Sequence, residues 1–377
     1  MNKLDCSLPS ESTQRQNLFW NWVDHQVRRL VAGWIEQALQ VLQGQYLGVG
    51  WNRRRPGRRG YRNGYRQRSL TTPQGVLPIR VPRLRQGMFD PRPIFERYQR
   101  RIVDVERVLR HAYLLGTSTR DTAELAEQLF GGPLSHQTVS RVMRWLDEQL
   151  VRWRQEPIAP VYPVVYIDGM HVDRVGSDRT VMLVAGRRDN GLLEVLGFCV
   201  GAGESCTDLL AGLRRRGLEQ VDLFVSDESN AIRSALAWVY PEVGWQHCVF
   251  HRLAQLRADM GGTLDRDRMV AEAACVFRCP SREAALDRAG LWRQRWQALY
   301  PGAVDHFLEG LRDSLRFYDL PMAWWKRVRT NNPLERLIRT LRHRLRPMGC
   351  FHDDPAIERA VFGQLLRRHL VKLTHNT

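Results

Sequence analysis

Hydrophobic and polar positions change period four times along the chain, and each change marks an element boundary. Over residues 18–43 apolar side chains recur at helical spacing, through Leu18, Trp22, Val27, Leu30, Val31, Trp34, Ala38 and Leu42. The segment "SLTTPQGVLPIRVPRLR" then shows a turn at Pro73-Gln74-Gly75 followed by strand-like alternation. From residue 116 the pattern is helical again. "TSTRDTAELAEQLFGG" opens on Ser/Thr caps and stops at Gly-Gly, and "PLSHQTVSRVMRWLDEQL" restarts with Ser135 as the N-cap. Two helices joined by a short glycine-containing turn predict a helix-turn-helix, with His136, Gln137, Ser140, Arg141 and Arg144 facing outward from the second helix, 135–146. An ordinary helical hairpin with a solvated face fits the same pattern.

From residue 161 the signal becomes that of strands. "VYPVVYIDG", "TVMLVAGR" and "LLEVLGFCVGAG" are apolar β-branched runs separated by turns. They precede a helix, "SCTDLLAGLRRRG", a fourth strand, "VDLFVSDE", a second helix, "SNAIRSALAWVYP", and a fifth strand, "GWQHCVFH". Three strands in a row followed by alternation of helix and strand predict a mixed α/β sheet with flanking helices. Residues 252–325 lose strand character, and Trp292, Trp296, Trp324 and Trp325 punctuate a helix-rich stretch. A helix at 330–347 and a terminal helix near 354–372 complete the expectation. The resulting boundaries are a basic N-terminal region (1–110), a helix-turn-helix-like region (111–155), a first sheet part (156–251), a helical insertion (252–325) and a last part (326–377).

Charge narrows the class of partner. Formal net charge is +17 and the isoelectric point about 10.3, so the expected partner is a polyanion, nucleic acid first. A basic membrane-surface protein is the rival, but no run of 18 apolar residues and no amphipathic terminal anchor is present. The first residues lack the apolar core of a secretory signal. Seven scattered cysteines do not form a disulfide framework. A reduced, cytoplasmic protein associated with the nucleoid when bound to DNA is the expectation. The stretch "WNRRRPGRRGYRNGYRQR", residues 51–68, holds eight arginines and no acid. It reads as a loop or arm that tracks phosphates through Arg53, Arg54, Arg55, Arg58, Arg59, Arg62 and Arg66, with Tyr61 and Tyr65 interleaved. Such contacts are independent of sequence, so base reading is assigned to the helix 135–146, through Gln137, Arg141 and Arg144.

Candidate chemistry follows from three carboxylates. Asp168 and Asp227 each follow a buried run, where an open α/β sheet places ligand-binding groups. Each could instead cap the turn after it. In "TNNPLERLIRTLRHRLRP", Leu334, Leu337, Ile338, Leu341 and Leu345 form one stripe, and Glu335, Arg339, Arg342 and Arg346 a neighbouring one. Asn332 as N-cap, Pro333 at the first helical position and Glu335 at the third make a capping box, which is the alternative role for Glu335. A phosphate backbone lying along the arginine row would reach Glu335, and a carboxylate beside a phosphate is unfavourable unless a divalent cation bridges them. Three carboxylates with two Mg²⁺ (or Mn²⁺) ions satisfy that requirement.

These residues, in this order, resemble the Mutator-type transposases of bacterial insertion sequences, members of the DDE group with an RNase H-like core. The resemblance runs from about residue 57 to 372 through "RRGYRNGYRQRSLTTPQGVLPIRVPRLRQGMF", "YLLGTSTRDTAE", "LSHQTVSRV", "YIDGMHV", "VSDESNAI", "WQHCVFHRL" and "RTNNPLERLIRTLRHRLRPMGCF". It implies a catalytic triad at Asp168, Asp227 and Glu335, all three binding metal, with a helical insertion before Glu335. It also implies a supporting Cys-x2-His pair at Cys248 and His251, for which a zinc site with Cys275 and Cys279 is the other reading. Implied, too, are binding to the terminal inverted repeats and target DNA, strand cleavage and transfer, a homodimer or larger assembly on DNA, and a copy-out route through a circular intermediate. The chain departs from the family pattern at Glu228, where glycine is usual, and at "RLAQL", where an Asn is frequent. An RNase H-like nuclease without strand transfer, such as a junction resolvase, and a DNA-binding regulator derived from a transposase are the competing classes.

Overall fold

A computed structural model describes residues 11–50, 53, 56–86, 89–96, 98–201, 204–330, 332–368 and 370. The chain divides into two compact units, residues 1–143 and 144–377.

The first unit opens with α1 (Glu11–Leu47), longer at both ends than the expected 18–43. It packs on a hairpin, β1 (Arg62–Thr72) and β2 (Gly75–Leu84), closed by the anticipated turn at Pro73-Gln74. Val31, Ala32, Ile35 and Leu39 of α1 meet Leu70, Leu77, Ile79 and Val81 of the hairpin and Phe95 beyond it. Most of the residues that made α1 legible are not these: Leu18, Trp22, Leu30 and Trp34 are exposed. The arginine-rich arm is also corrected. Its second half is not loop but strand β1, with a register shift between Arg62 and Tyr65. Gly64 sits in that irregularity at φ 65°, a conformation that favours glycine.

Three helices follow: α2 (Val103–Leu115), α3 (Thr119–Phe130) and α4 (His136–Met143). A capping box, Ser118 with Asp121, starts α3, and Gly131 at φ 65° ends it. Ser135 Oγ accepts from the Thr138 amide at 3.2 Å, as its N-cap role requires. The second helix is shorter than anticipated: α4 stops at Met143, and a separate helix, α5 (Trp145–Trp153), begins the second unit.

In the second unit, β3 (Val161–Val172), β4 (Arg179–Arg187) and β5 (Leu193–Val200) form an antiparallel meander. After α6 (Glu204–Arg215), β6 (Gln220–Ser226) lies parallel to β3. After α7 (Asn230–Val239), the short β7 (Gly244–His247) lies parallel to β6, giving the strand order β5-β4-β3-β6-β7. Residues 164–168 of β3 and 181–186 of β4 are continuously buried, as in a sheet covered on both faces. Tyr162, Val165, Ile167, Met182, Val184 and Phe224 pack with Leu210 and Leu213 of α6 and Ile232 and Leu236 of α7.

The expected fifth strand is cut short. Only residues 244–247 are extended, and Val249 begins α8 (Val249–Asp259). Val249, Arg252 and Leu256 recur at helical rather than strand spacing and are buried. The helical stretch continues through α9 (Arg266–Val276), α10 (Arg282–Trp296), α11 (Pro301–Glu309), α12 (Leu311–Ser314), a 3₁₀ turn and α13 (Met322–Val328). Its core holds Trp292, Trp296 and Phe307, two of the tryptophans that marked this stretch in the sequence. The chain then returns to the sheet as α14 (Asn332–Leu345), packed on β3, and α15 (Asp354–Arg367), packed on α5 and β5. Arg359 grips Asp147 of α5 with two bonds of 2.7 Å.

Candidate active site

Register places the two aspartates side by side. The β3–β6 pairing runs Val164–Leu223, Val165–Phe224, Tyr166–Val225, so Asp168 and Asp227 occupy equivalent positions just past the last paired residues. Asp168 does not cap a turn, as one reading allowed. It lies within β3, opposite Leu183 of β4, and β3 continues four residues further. What ends at Asp168 is the parallel pairing, which opens a crevice at the carboxyl end of β6.

α14 brings the third carboxylate. The buried stripe is Leu334, Leu337, Ile338, Leu341 and Leu345, the set read from the sequence, and it seats the helix on the sheet. With that stripe inward, Glu335 is half-buried and Arg339, Arg342 and Arg346 are exposed. α14 begins at Asn332, one residue earlier than the capping box required, and the residue before it lies outside the described ones.

The three carboxylates share one electrostatic environment. Burial pushes Asp168 up to about 7; the Gly169 amide, 2.9 Å away, opposes this, the Asp227 charge adds to it and Arg342 offsets it. Burial raises Asp227, with His251 opposing. Burial also raises Glu335, with His251 and Arg339 opposing and Asp168 adding. Oδ1 of Asp227 and Oε1 of Glu335 are buried and lack hydrogen-bond partners. Buried, mutually repelling oxygens without donors are what a hard divalent cation relieves. The donor set therefore fits Mg²⁺ or Mn²⁺.

Cys248 and His251 meet the same place. Cys248 follows β7, its amide donating to the Ser226 carbonyl at 2.7 Å, and is the residue before α8. One ligand atom each of Cys248, His251 and Glu335 lie within 4.8 Å of one another. Cys275 and Cys279 are not in that group; their thiols donate to the Ala271 and Cys275 carbonyls. The zinc reading with Cys275 and Cys279 is set aside on that geometry.

The site has a neck that sequence reasoning did not find. Residues 327–329, just before α14, are held by three bonds. Tyr166 Oη donates to the Arg327 carbonyl (2.9 Å), Gln246 Nε2 to Val328 (2.9 Å) and the Val249 amide to Arg329 (3.0 Å). No motif carries these contacts, because each donor is an ordinary core or helix-start residue. Also missed was the use made of Glu228. Its carboxylate stands 3.6 Å from Nη2 of Arg252 and 3.7 Å from Nδ1 of His247, both buried. Burial, then the charge of Arg252, pushes His247 down to about 3, so of these two it is Arg252 that balances Glu228. The unusual residue after Asp227 was the signal for this pair.

Beside the carboxylates, His171, Asp173, Arg339, Arg342, Arg346 and Phe351 line a groove of about 460 Å³. The arginine row read from the sequence thus forms one wall of an open basic groove.

The remaining site residues are scattered over the first unit or its boundary. Arg54 and Arg55 lie outside the described residues. Arg53, Arg59 and Arg66 are exposed. Arg58 stacks over Tyr61 at 4.2 Å and binds the Gly60 carbonyl, and Arg62 binds the carbonyls of Val49 and Gly50. Those two act on their own unit's backbone. Gln137, Arg141 and Arg144 are exposed.

The chain belongs to the Mutator family of transposases, whose family model matches residues 2–369. It is 30% identical over 342 residues to the transposase for insertion sequence element IS406 of Burkholderia multivorans (strain ATCC 17616 / 249), covering 88% of this chain and 87% of that one. It is 28% identical to the transposase for ISRM5 of Rhizobium meliloti (strain 1021), with 91% and 87% covered. It is 25% identical to the transposase for IS256 in transposon Tn4001 of Staphylococcus aureus, with 98% and 96% covered. No helix among the described residues is long and apolar enough to cross a membrane.

Proposed function

We propose that this protein is a DNA transposase that binds the terminal inverted repeats of its element, cleaves DNA strands and joins the ends to target DNA through a DDE site of Asp168, Asp227 and Glu335. The observation that carries the reading is that Asp168 is buried, that Asp227 and Glu335 are half-buried with one unpartnered oxygen each, and that the charges of Asp227 and Glu335 both act with Asp168, beside the groove walled by Arg339, Arg342 and Arg346. An antiparallel meander followed by two parallel strands, then a helical block and a returning helix, supports an RNase H-like core with an insertion at residues 252–325. The finer division, with a basic region at 1–110 and a helix-turn-helix at 111–155, belongs to the same proposal.

Asp168, Asp227 and Glu335 would hold two Mg²⁺ (or Mn²⁺) ions, which when bound supply Lewis-acid charge to the attacking and leaving oxygens. The protein's own contributions are positional. Arg339, Arg342 and Arg346 clamp the strand's phosphates. The leucine face of α14 and the three bonds at residues 327–329 fix Glu335 against the sheet. His251 offsets the charge of Asp227 and Glu335, and Cys248 anchors the turn that carries it. In cleavage, water adds to phosphorus as the 3′-oxygen leaves. In transfer, the freed 3′-hydroxyl makes one phosphodiester while another breaks, so neither ATP nor a covalent protein intermediate is required. Arg53, Arg54, Arg55, Arg58, Arg59, Arg62 and Arg66 would track the backbone, and Gln137, Arg141 and Arg144 would read bases, in a dimer or larger assembly on DNA.

The test is incubation of the protein with terminal-repeat DNA and Mg²⁺ beside an Asp168→Asn control. Joined products that vanish in the control support the proposal. Cleavage without joining would select the nuclease reading, and binding without breakage the regulator.

A further inference from the structure

One surface of the first unit has no role in anything above. α1 carries a second apolar strip, on the side away from the hairpin it packs against. Trp20, Val27, Trp34 and Val41 recur every seven residues, with Val23 and Leu30 three positions after the first two. This is the a/d pattern of a coiled-coil seam, three heptads long and about 32 Å at 1.5 Å per residue. In that frame Ala32, Ile35 and Leu39, which pack against the hairpin, take positions b and f, across the helix from the seam, and Val31, packed on the same hairpin, takes e at the seam's edge. The strip itself is open: Trp20 is 64% exposed, Trp34 65%, Leu30 56% and Val41 54%. α1's own fold therefore uses one face and leaves an equally apolar one bare.

We propose that this strip pairs antiparallel with the same strip of a second copy, making a dimer that forms without DNA or metal. Charge argues for a like partner. The protein carries +17 overall, yet the seam positions hold no charge. Arg28, Arg29 and Glu36 fall at b and c, and among the flanking e and g positions only Asp24 is ionised. A strip without cations in so basic a chain does not suit a nucleic acid, and it places no like charges opposite one another in a pair. Area agrees. Two tryptophans two-thirds exposed offer on the order of 250 Å². Their aliphatic neighbours bring each copy to roughly 500–600 Å², so the pair reaches the lower range of specific interfaces, about 1,000–1,200 Å² in total.

Gly33 is the independent mark. It sits mid-helix beside Trp34, where glycine weakens a helix, and a Cβ there would meet nothing within 4 Å. The first unit therefore gives no reason for a glycine. A helix packed on the seam does, because the missing side chain lets a bulky residue of the second copy approach. The antiparallel choice follows from size. A parallel pair would set Trp20 on Trp20 and Trp34 on Trp34. An antiparallel pair centred between Val27 and Leu30 sets Trp20 on Gln37, Trp34 on Val23 and Val27 on Leu30.

The full chain is measured by sedimentation velocity at micromolar concentration, with EDTA and no DNA, beside Leu30→Glu and Trp34→Gln. Twice the 43.9 kDa chain mass is expected for the wild type, and the single-chain mass for both variants. Far-UV circular dichroism and the melting temperature monitor the fold, which neither exposed substitution touches. A monomeric wild type, or variants that stay dimeric with unchanged circular dichroism, overturns the proposal. Orientation is read by oxidation and peptide mapping. Val23→Cys mixed with Trp34→Cys is expected to give a 23–34 crosslink, whereas a 23–23 crosslink in Val23→Cys alone overturns the antiparallel pairing.

Discussion

Replacing Asp168 by Asn, at nearly constant shape, should stabilise the metal-free protein, and more so as the pH rises. Asp168 ionises near 3.8 in an unfolded chain and at about 7 in the fold, mainly because it is buried. A raised pKa means the fold favours the protonated acid. Its stability is fully present below the unfolded value and is lost as pH climbs through 7. The difference is about three pKa units, or about 4 kcal/mol at 1.36 kcal/mol per unit. Relaxation of the site around the ion halves this to about 2 kcal/mol at pH 8.5. At pH 5 the native acid is protonated and the unfolded one is still ionised, so the gain shrinks to about 0.8 kcal/mol after the same halving. For a unit of this size, the pH 8.5 gain corresponds to a rise in Tm of about 4–8 °C. Differential scanning calorimetry in EDTA at the two pH values measures it directly. Millimolar Mg²⁺ should then raise the wild-type Tm at pH 8.5 more than the variant's, since binding to the fold alone adds stability. A variant less stable than wild type at pH 8.5 in EDTA, or a gain independent of pH, would refute the claim that burial of this carboxylate outweighs the Gly169 amide and Arg342 that offset it.

Three further outcomes follow from other parts of the second unit. Arg342→Glu combined with Arg346→Glu should weaken DNA binding at low salt and flatten its salt dependence, with a slope of log K against log salt reduced by about 2; fluorescence anisotropy over a salt series checks this. Gly310→Ala should cost about 1–3 kcal/mol in urea unfolding, because a methyl there overlaps the buried guanidinium of Arg252. Glu228→Gln should destabilise by about 1–2 kcal/mol, the partly exposed carboxylate being the ion-pair partner of buried Arg252 and the largest of the opposite charges acting on it, and Arg252→Met in the same chain should recover most of that loss in the same unfolding assay.

Periodicity and spacing made the sheet, its helices and the arginine row of α14 legible, because each reports its own burial locally. The five buried residues of α14 were readable one by one, since a single helix resting on a sheet has one apolar face. Less was legible where two partners compete for one segment. β1 was read as a loop because it opens inside an arm of eight arginines and three glycines, which masks an alternation that only its pairing with β2 supplies. "GWQHCVFH" read as a strand throughout because a short apolar run has no period of its own, and the break at Cys248 depends on its bond to Ser226. Asp227 was readable as a strand-end residue, but Asp168 lies inside β3, which runs on to Val172, and the equivalence of the two rests on the β3–β6 register, which no local pattern contains. The Glu228–Arg252 pair was signalled only as an oddity, because its partner lies one strand and one helix turn away.

The three bonds at residues 327–329 have a consequence for how the chain is partitioned. The polypeptide leaves the sheet at Val249 and comes back at Arg329, and the amide of the first is bonded to the carbonyl of the second at 3.0 Å. Eighty residues of helix are therefore a bead on a closed ring whose clasp belongs to the sheet. Loop closure costs little more as a ring grows. Its surface turns can lengthen or shrink while the clasp holds the point where α14 starts, and so Glu335, in place.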